Sequence, residues 1–135
     1  MKTLLLRAVA LIQIVLGLLY LFAPGWMTAS LGHSPLPADL AYPLAMLAAR
    51  FLAYGAGLWA SASDPLGNAR WVRLMALIQA IDLAAGVAYT ALGVVPLALS
   101  GFPMFNAAWI AGVCLWAARE PRLPLAPARR AGVPG

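Results

Sequence analysis

The sequence predicts an all-α fold: a four-helix transmembrane bundle, N-in/C-in, built from two parallel helical-hairpin repeats. Three observations lead there. Of 135 residues, 64% are hydrophobic and 10% charged, with a mean hydropathy of +0.87. That is more apolar surface than a soluble domain can hide. Four apolar stretches, 4–23, 40–62, 70–93 and 103–118, are set against the ~20 residues that cross ~30 Å of hydrocarbon; the fourth is short. Basic residues gather beside these stretches on one side.

Each boundary has a chemical marker. Pro24-Gly25 ends the first span. Asp39 is suited to cap the second, with Pro43 in a first turn that has little use for its N–H. Asp64-Pro65-Leu66-Gly67-Asn68 reads as a tight turn, with Asn68 as cap of the third. Gly93 ends the third, and Pro103 suits the start of the fourth. The uncharged connection 94–105 is expected to tuck into the membrane interface or dock on another subunit. Residues 1–121 form the membrane domain; 122–135, rich in Pro and Arg, read as a disordered cytoplasmic tail near anionic lipid.

Eight of the nine basic residues belong to one side. Lys2 and Arg7 open the first span, Arg70 and Arg73 open the third, and Arg119, Arg122, Arg129 and Arg130 follow the fourth. The positive-inside rule makes both termini cytoplasmic. The bias also argues against a dual-topology multidrug carrier, which needs nearly balanced loops. With the basic residues flanking apolar segments, the net charge of +5 is a topology signal and not a nucleic-acid surface. The first span has features of a signal peptide, Lys2 and a small-residue "MTAS". Its length, Gln13 and its echo later in the chain favour a retained helix.

That echo suggests duplication. Arg7-x-x-Ala10-Leu11-Ile12-Gln13 recurs as Arg73-x-x-Ala76-Leu77-Ile78-Gln79, and Gly17-x-x-Tyr20 as Gly86-x-x-Tyr89. "LWASASDP" (58–65) resembles "LWAAREP" (115–121). Two spans per repeat return the chain to one side, so the halves are parallel about an axis along the membrane normal. Arg7 and Arg73 become equivalent snorkelling anchors. Gln13 and Gln79 then lie at one depth, able to hydrogen-bond across the axis for roughly 0.6–2 kcal/mol.

Arg50, the ninth basic residue, lies mid-span. Asp82 and Asn106 lie at a similar depth, about 18 Å from the basic side at 1.5 Å per residue. An arginine alone at that depth costs at least ~2.5–3.5 kcal/mol on insertion scales. Asp82 is the carboxylate available to answer it, so the two are expected to form an intramembrane ion pair. Gln79, Asp82, Gly86, Tyr89 and Gly93 make one stripe on the third helix, and Gln13, Gly17 and Tyr20 a similar one on the first. Ala49, Ala53, Gly57 and Ser61 form a small-xxx-small ridge for helix contact. The candidate binding layer is therefore Gln13, Arg50, Tyr54, Gln79, Asp82, Tyr89 and Asn106. Such a layer serves either as a register device or as a substrate, quinone or proton site; the tyrosines either line it or pack.

No nucleotide loop, hydrolase triad, zinc spacing or haem attachment motif is present. His33 stands alone in the 24–39 connection and Cys114 alone in an apolar helix, so neither metal nor thiol chemistry is expected. The expected cofactor set is none, with a quinone as the one group the layer suits.

"GLLYLFAPGW" (17–26) followed by "AARFLAYGAGLW" (48–59) resembles the DoxX-like superfamily of small bacterial four-helix membrane proteins, in particular its BphX-like relatives. The match spans about 7–119 and rests on Phe22-x-Pro24 and Ala49-Arg50-Phe51. Ala53 stands where that family usually has Gly. The resemblance implies a four-helix bundle of the bacterial inner membrane, with some relatives tied to quinone-linked oxidation or catabolic operons. It transfers no catalytic residue.

The sequence thus describes a non-catalytic accessory subunit or small-lipophile binder. The expected partner is the lipid bilayer, with another membrane protein or a homo-oligomer as the candidate protein partners and no nucleic acid. The alternatives are a proton-coupled carrier using Asp82 and a quinone-handling oxidoreductase subunit. Topology is tested by single cysteines at Ser34 and Ala131. An impermeant maleimide should label them from opposite sides, and labelling from one side contradicts four spans.

Overall fold

A computed structural model describes residues 1–119; the proposed tail, Arg122, Arg129 and Arg130 lie outside the described residues. The chain forms α1 (Lys2–Phe22), α2 (Pro24–Ser30), a 3-10 turn (Ala38–Leu40), α3 (Ala41–Ser61), α4 (Ala69–Ala91) and α5 (Leu97–Ala117). Four of these are long and apolar enough to cross a membrane: α1, α3 together with its leading 3-10 turn, α4 and α5. All are runs of strong helix formers and apolar residues, and inside lipid the helix is the form that satisfies its own backbone.

Several ends follow the sequence markers. Gly93, at φ +70°, terminates α4, with its N–H on the Thr90 carbonyl and that of Val94 on Tyr89, a Schellman-type end. Asn68 sits at the N-cap of α4 but makes no side-chain cap. Its Nδ2 instead donates to the Asp64 carbonyl at 2.9 Å, while the Asp64 carboxylate accepts the Gly67 N–H at 2.9 Å. Asp39 likewise makes no cap; it lies in the 3-10 turn, and Leu40 precedes α3.

Two markers mean something else in the fold. Pro24 ends no more than α1: it also opens α2, a seven-residue helix, since Pro is well suited to a first helical turn. Pro103 does not start the last span, which begins at Leu97 behind Pro96. The amides of Leu99 and Ser100 donate to the Pro96 carbonyl, and the hydroxyls of Ser100 and Thr90 join at 2.7 Å, tying α5 to α4. The fourth span is consequently a full 21 residues, and much of the expected 94–105 loop is helical. Pro103 sits inside it, with no N–H for the Leu99 carbonyl.

The large interfaces lie within hairpins, α1 on α3 and α4 on α5. The hairpins meet through smaller α1–α5 and α3–α4 contacts, so α1 and α4 face each other across the diagonal. α1 and α3 approach closely at Gly17 and Gly55. A Cβ on Gly55 would lie 2.5 Å from Ile14 Cγ1 and 2.9 Å from the Ala10 carbonyl oxygen. One on Gly17 would meet Leu52 Cγ at 2.8 Å. The ridge expected at Ala49, Ala53, Gly57 and Ser61 is not this seam: Ala49 and Ala53 are exposed, and Gly57 is covered by the Trp71 ring.

Lys2, Arg7, Arg73 and Arg119 collect at one end of the bundle, here the basic end. The Lys2 ammonium donates to the Ala117 and Arg119 carbonyls at 3.1 and 3.0 Å, and Arg73 Nη2 to that of Ala118 at 3.3 Å. These cations satisfy carbonyls at the C-terminus of α5, where the helix dipole favours positive charge. Arg7 lies over the Trp59 ring at 5.3 Å and Lys2 over Trp116 at 5.5 Å.

The packed core occupies this basic half: Leu6, Val9 and Ala10 of α1, Leu58 of α3, Val72, Met75 and Ala76 of α4, Ile110 and Cys114 of α5. Large apolar side chains thus fill the inside here. Four of the five buried positions of α1 (Leu6, Val9, Ala10, Gln13) share the spacing of the four on α4 (Val72, Met75, Ala76, Gln79); the fifth, Gly17, has no buried counterpart. At the C-terminal ends of α3 and α5 the buried positions are Leu58, Ser61, Ala62 and Cys114, Ala117, Ala118. That register is one residue off the "LWA" letter match, since Leu58 is buried and Leu115 exposed.

Adding a methyl at Gly55 presses on backbone that cannot rotate away. Gly55→Ala should lose about 1–3 kcal/mol, the usual range for overpacking. Gly17→Ala, whose Cβ would meet a flexible leucine first and stand 3.1 Å from the Ala48 carbonyl oxygen, should lose less. Detergent unfolding of the two variants checks this order.

Candidate functional site

Beyond the packed half, toward the end bearing α2, the four long helices part around a cavity of about 230 Å³. Gln13 and Tyr20 enter it from α1, Leu47 and Phe51 from α3, Gln79 and Asp82 from α4, and Phe102, Pro103 and Asn106 from α5. Met27 and Leu31 cover it from α2 and its end. The local reasons are visible. Gln13 and Gln79 continue the buried stripes of their helices by one turn. Pro103 interrupts α5 where it borders the space. The rings of Tyr20 and Phe51 stack at 5.8 Å with planes 5° apart, closing one wall.

A smaller cavity of about 80 Å³ adjoins it, sharing Leu47, Phe51, Gln79 and Asp82, and adding Arg50, Tyr54 and Ile78. On the side away from the basic end, a pocket of about 470 Å³ shares Tyr20 and is walled by Thr28, His33, Pro35, Pro37 and Pro43. Tyr20 thus stands between the outer pocket and the central cavity.

Six of the seven sequence candidates meet here: Gln13, Gln79, Asp82 and Asn106 at the central cavity, Arg50 and Tyr54 with Gln79 and Asp82 at the adjoining one. Tyr89 does not. It is 55% exposed, further along α4, and lines none of these cavities. Tyr20 takes the place expected of it. Periodicity placed both tyrosines on polar stripes; α2 and α3 enclose one, and nothing comparable covers the other.

Two expected contacts are not made. Gln13 and Gln79 do not hydrogen-bond, because they project from diagonal helices across the space. Arg50 and Asp82 line one cavity, yet among the described residues no ion pair closes within 4.0 Å; both are exposed at the α3–α4 cleft, where the helices barely touch. Asn106 Oδ1 accepts the Trp109 Nε1–H at 3.2 Å.

Gln13 is the exceptional group. It is fully buried, and neither its Nε2 nor its Oε1 has a hydrogen-bond partner. A buried amide without partners is costly, about 1–3 kcal/mol per unsatisfied group. Chemically the cavity offers amides that donate and accept, a carboxylate, and aromatic faces from Tyr20, Phe51 and Phe102. Among the described residues no three His, Cys, Asp or Glu side chains converge to hold a metal.

Fold and cavity together define a multi-pass membrane protein with a mostly apolar chamber that carries a few polar groups inside its bundle. No family model matches the chain, and neither curated proteins nor solved structures give a match.

The contrast between the two halves is measurable. Ala107 borders the cavity and Ala76 lies in the packed core. Ala107→Leu should cost less than ~1 kcal/mol, its added carbons entering open space, whereas Ala76→Leu should cost ~1–3 kcal/mol or more. Equal losses in detergent unfolding contradict the cavity.

Proposed function

We propose that this protein holds a small lipophilic molecule inside the membrane, with its polar end at Gln13, Gln79 and Asn106. It acts as a non-catalytic binder or accessory subunit of the bacterial cytoplasmic membrane. The observation that carries this reading is the Gln13 amide, wholly buried, unpartnered and lining the cavity. A guest that both donates and accepts at one end, such as a hydroxyl or amide, answers both of its atoms. Size agrees: an apolar cavity of about 150 Å³ holds benzene, so about 230 Å³ admits a substituted ring or short branched chain. The stacked Tyr20 and Phe51 rings supply an apolar wall for it.

The remaining parts of the reading rest on the sequence, with support from the fold. Both termini are cytoplasmic, since the basic side chains gather at one end. The hairpins arose by duplication, which the matching buried spacing of α1 and α4 supports. Membership of the DoxX-like group rests on the motifs around Phe22 and Arg50. Entry is from the side opposite the basic end, through the outer pocket and past Tyr20. The same succession of cavities is what favours the second reading, a carrier that uses Asp82.

Purification with native lipid, followed by native mass spectrometry, tests the binder. The wild type should retain a small non-phospholipid molecule. Gln13→Leu should lower its occupancy about tenfold or more, as two lost hydrogen bonds of ~1 kcal/mol each imply. Ala107→Phe should exclude it by filling the space. A wild type that retains nothing, or two variants that retain the molecule fully, overturns the proposal.

A further inference from the structure

We propose that the α3–α4 face bearing Arg50 and Asp82 docks a second copy of this chain, each Arg50 meeting the partner's Asp82. The argument starts from what is left over. Arg50 and Asp82 are both exposed, and no ion pair within 4.0 Å joins them inside the chain. Both sit deep in their spans. Arg50 is eleven residues from the end of α3 at Ser61, and Asp82 thirteen from the start of α4 at Ala69. At 1.5 Å per residue both are about 16–20 Å from the basic end. Headgroups do not reach that depth, and acyl chains answer neither charge.

A second copy answers both. Copies inserted with one topology are related by an axis along the membrane normal, which preserves depth. A twofold axis on this face sets α3 opposite the partner's α4 and exchanges the roles of the two charges. One Arg and one Asp at equal depth are therefore self-complementary, as an isologous interface requires. The intramolecular α3–α4 contact is small, which leaves the face open. Beside the charges, Tyr54, Trp71, Leu74, Leu77 and Ile81 line an apolar groove of about 250 Å³ that receives side chains from across the axis. Ala49 and Ala53, exposed next to Arg50, allow backbones to approach, as small residues do between membrane helices.

The experiment uses full-length protein in native membranes, with Ala53→Cys as a cross-linking handle and a short bis-maleimide. Cys114 is fully buried and serves unaltered as the background. Ala53→Cys should give a dimer, and Leu115→Cys, exposed on α5, should not. Arg50→Asp and Asp82→Arg should each lower dimer yield about tenfold or more, a charge stranded in lipid costing at least that much. Co-expression of the two variants, differently tagged, should restore a cross-linked heterodimer, because both inter-copy pairs are then of opposite sign. Should a variant fail to accumulate alone, its rescue by the other copy reads the same pairing. The proposal is overturned if Ala53→Cys yields no dimer. It is also overturned if the single charge changes leave the yield unaltered, or if only the double change Arg50→Asp with Asp82→Arg in one chain restores it.

Discussion

Hydrocarbon supplies neither donors nor acceptors, so each polar group between Gln13 and Asp82 must be met by protein or by something the protein holds. This constraint organises the molecule. The backbone meets it by forming four helical spans, with one bond lost at Pro103. The basic end meets it with Lys2 and Arg73 on the final carbonyls of α5. Thr90 and Ser100 meet it by joining hydroxyls between α4 and α5. Inside the bundle, Gln13 is the buried side chain that the protein's own groups do not answer, and the chamber around it is the consequence with functional content.

The bundle is divided along its length. Near the basic end, Leu6, Leu58, Val72 and Ile110 interlock without exposure, which fixes how the hairpins sit. Beyond Gln13 the helices separate, and α2 folds back to cover the gap with Met27. The close seam at Gly17 and Gly55 holds α1 to α3 through both halves, so opening between hairpins does not loosen a hairpin itself. A rigid half supporting an open half is a sound basis for a binding site, because the groups that define it are held by packing elsewhere.

Hydropathy made the spans legible, and charge made the common end of Lys2, Arg7, Arg73 and Arg119 legible. Depth counting put Gln13 level with Gln79, and Asp82 level with Arg50 and Asn106, and the chamber with its adjoining cavity spans both levels. What the sequence left open was direction around each helix. Tyr20 and Tyr89 have equivalent local patterns, yet only Tyr20 has α2 and α3 beside it. Ala49 and Ala53 form a contact motif that faces outward, while the true seam uses Gly17 and Gly55, seven residues after Ala10 and Ala48. Pro24 and Pro103 were legible as breaks, but a proline opens a first turn as readily as it ends a helix. At Pro103 the packing of α5 on α4 outweighs one lost hydrogen bond.

The central claim is that the Gln13 amide is satisfied by a bound molecule. Gln13 and Gln79 are the two glutamines of the chain, so side-chain ¹⁵N labelling of glutamine gives two NH₂ groups, assigned through Gln79→Leu. The decisive measurement is the NMR signal and deuterium exchange of the Gln13 NH₂ in nanodiscs, before and after exhaustive delipidation. The account predicts slow exchange and a distinct shift that are lost when the lipophile is stripped. Rapid exchange with unchanged shifts in both preparations would mean that water alone fills the chamber, and would contradict it.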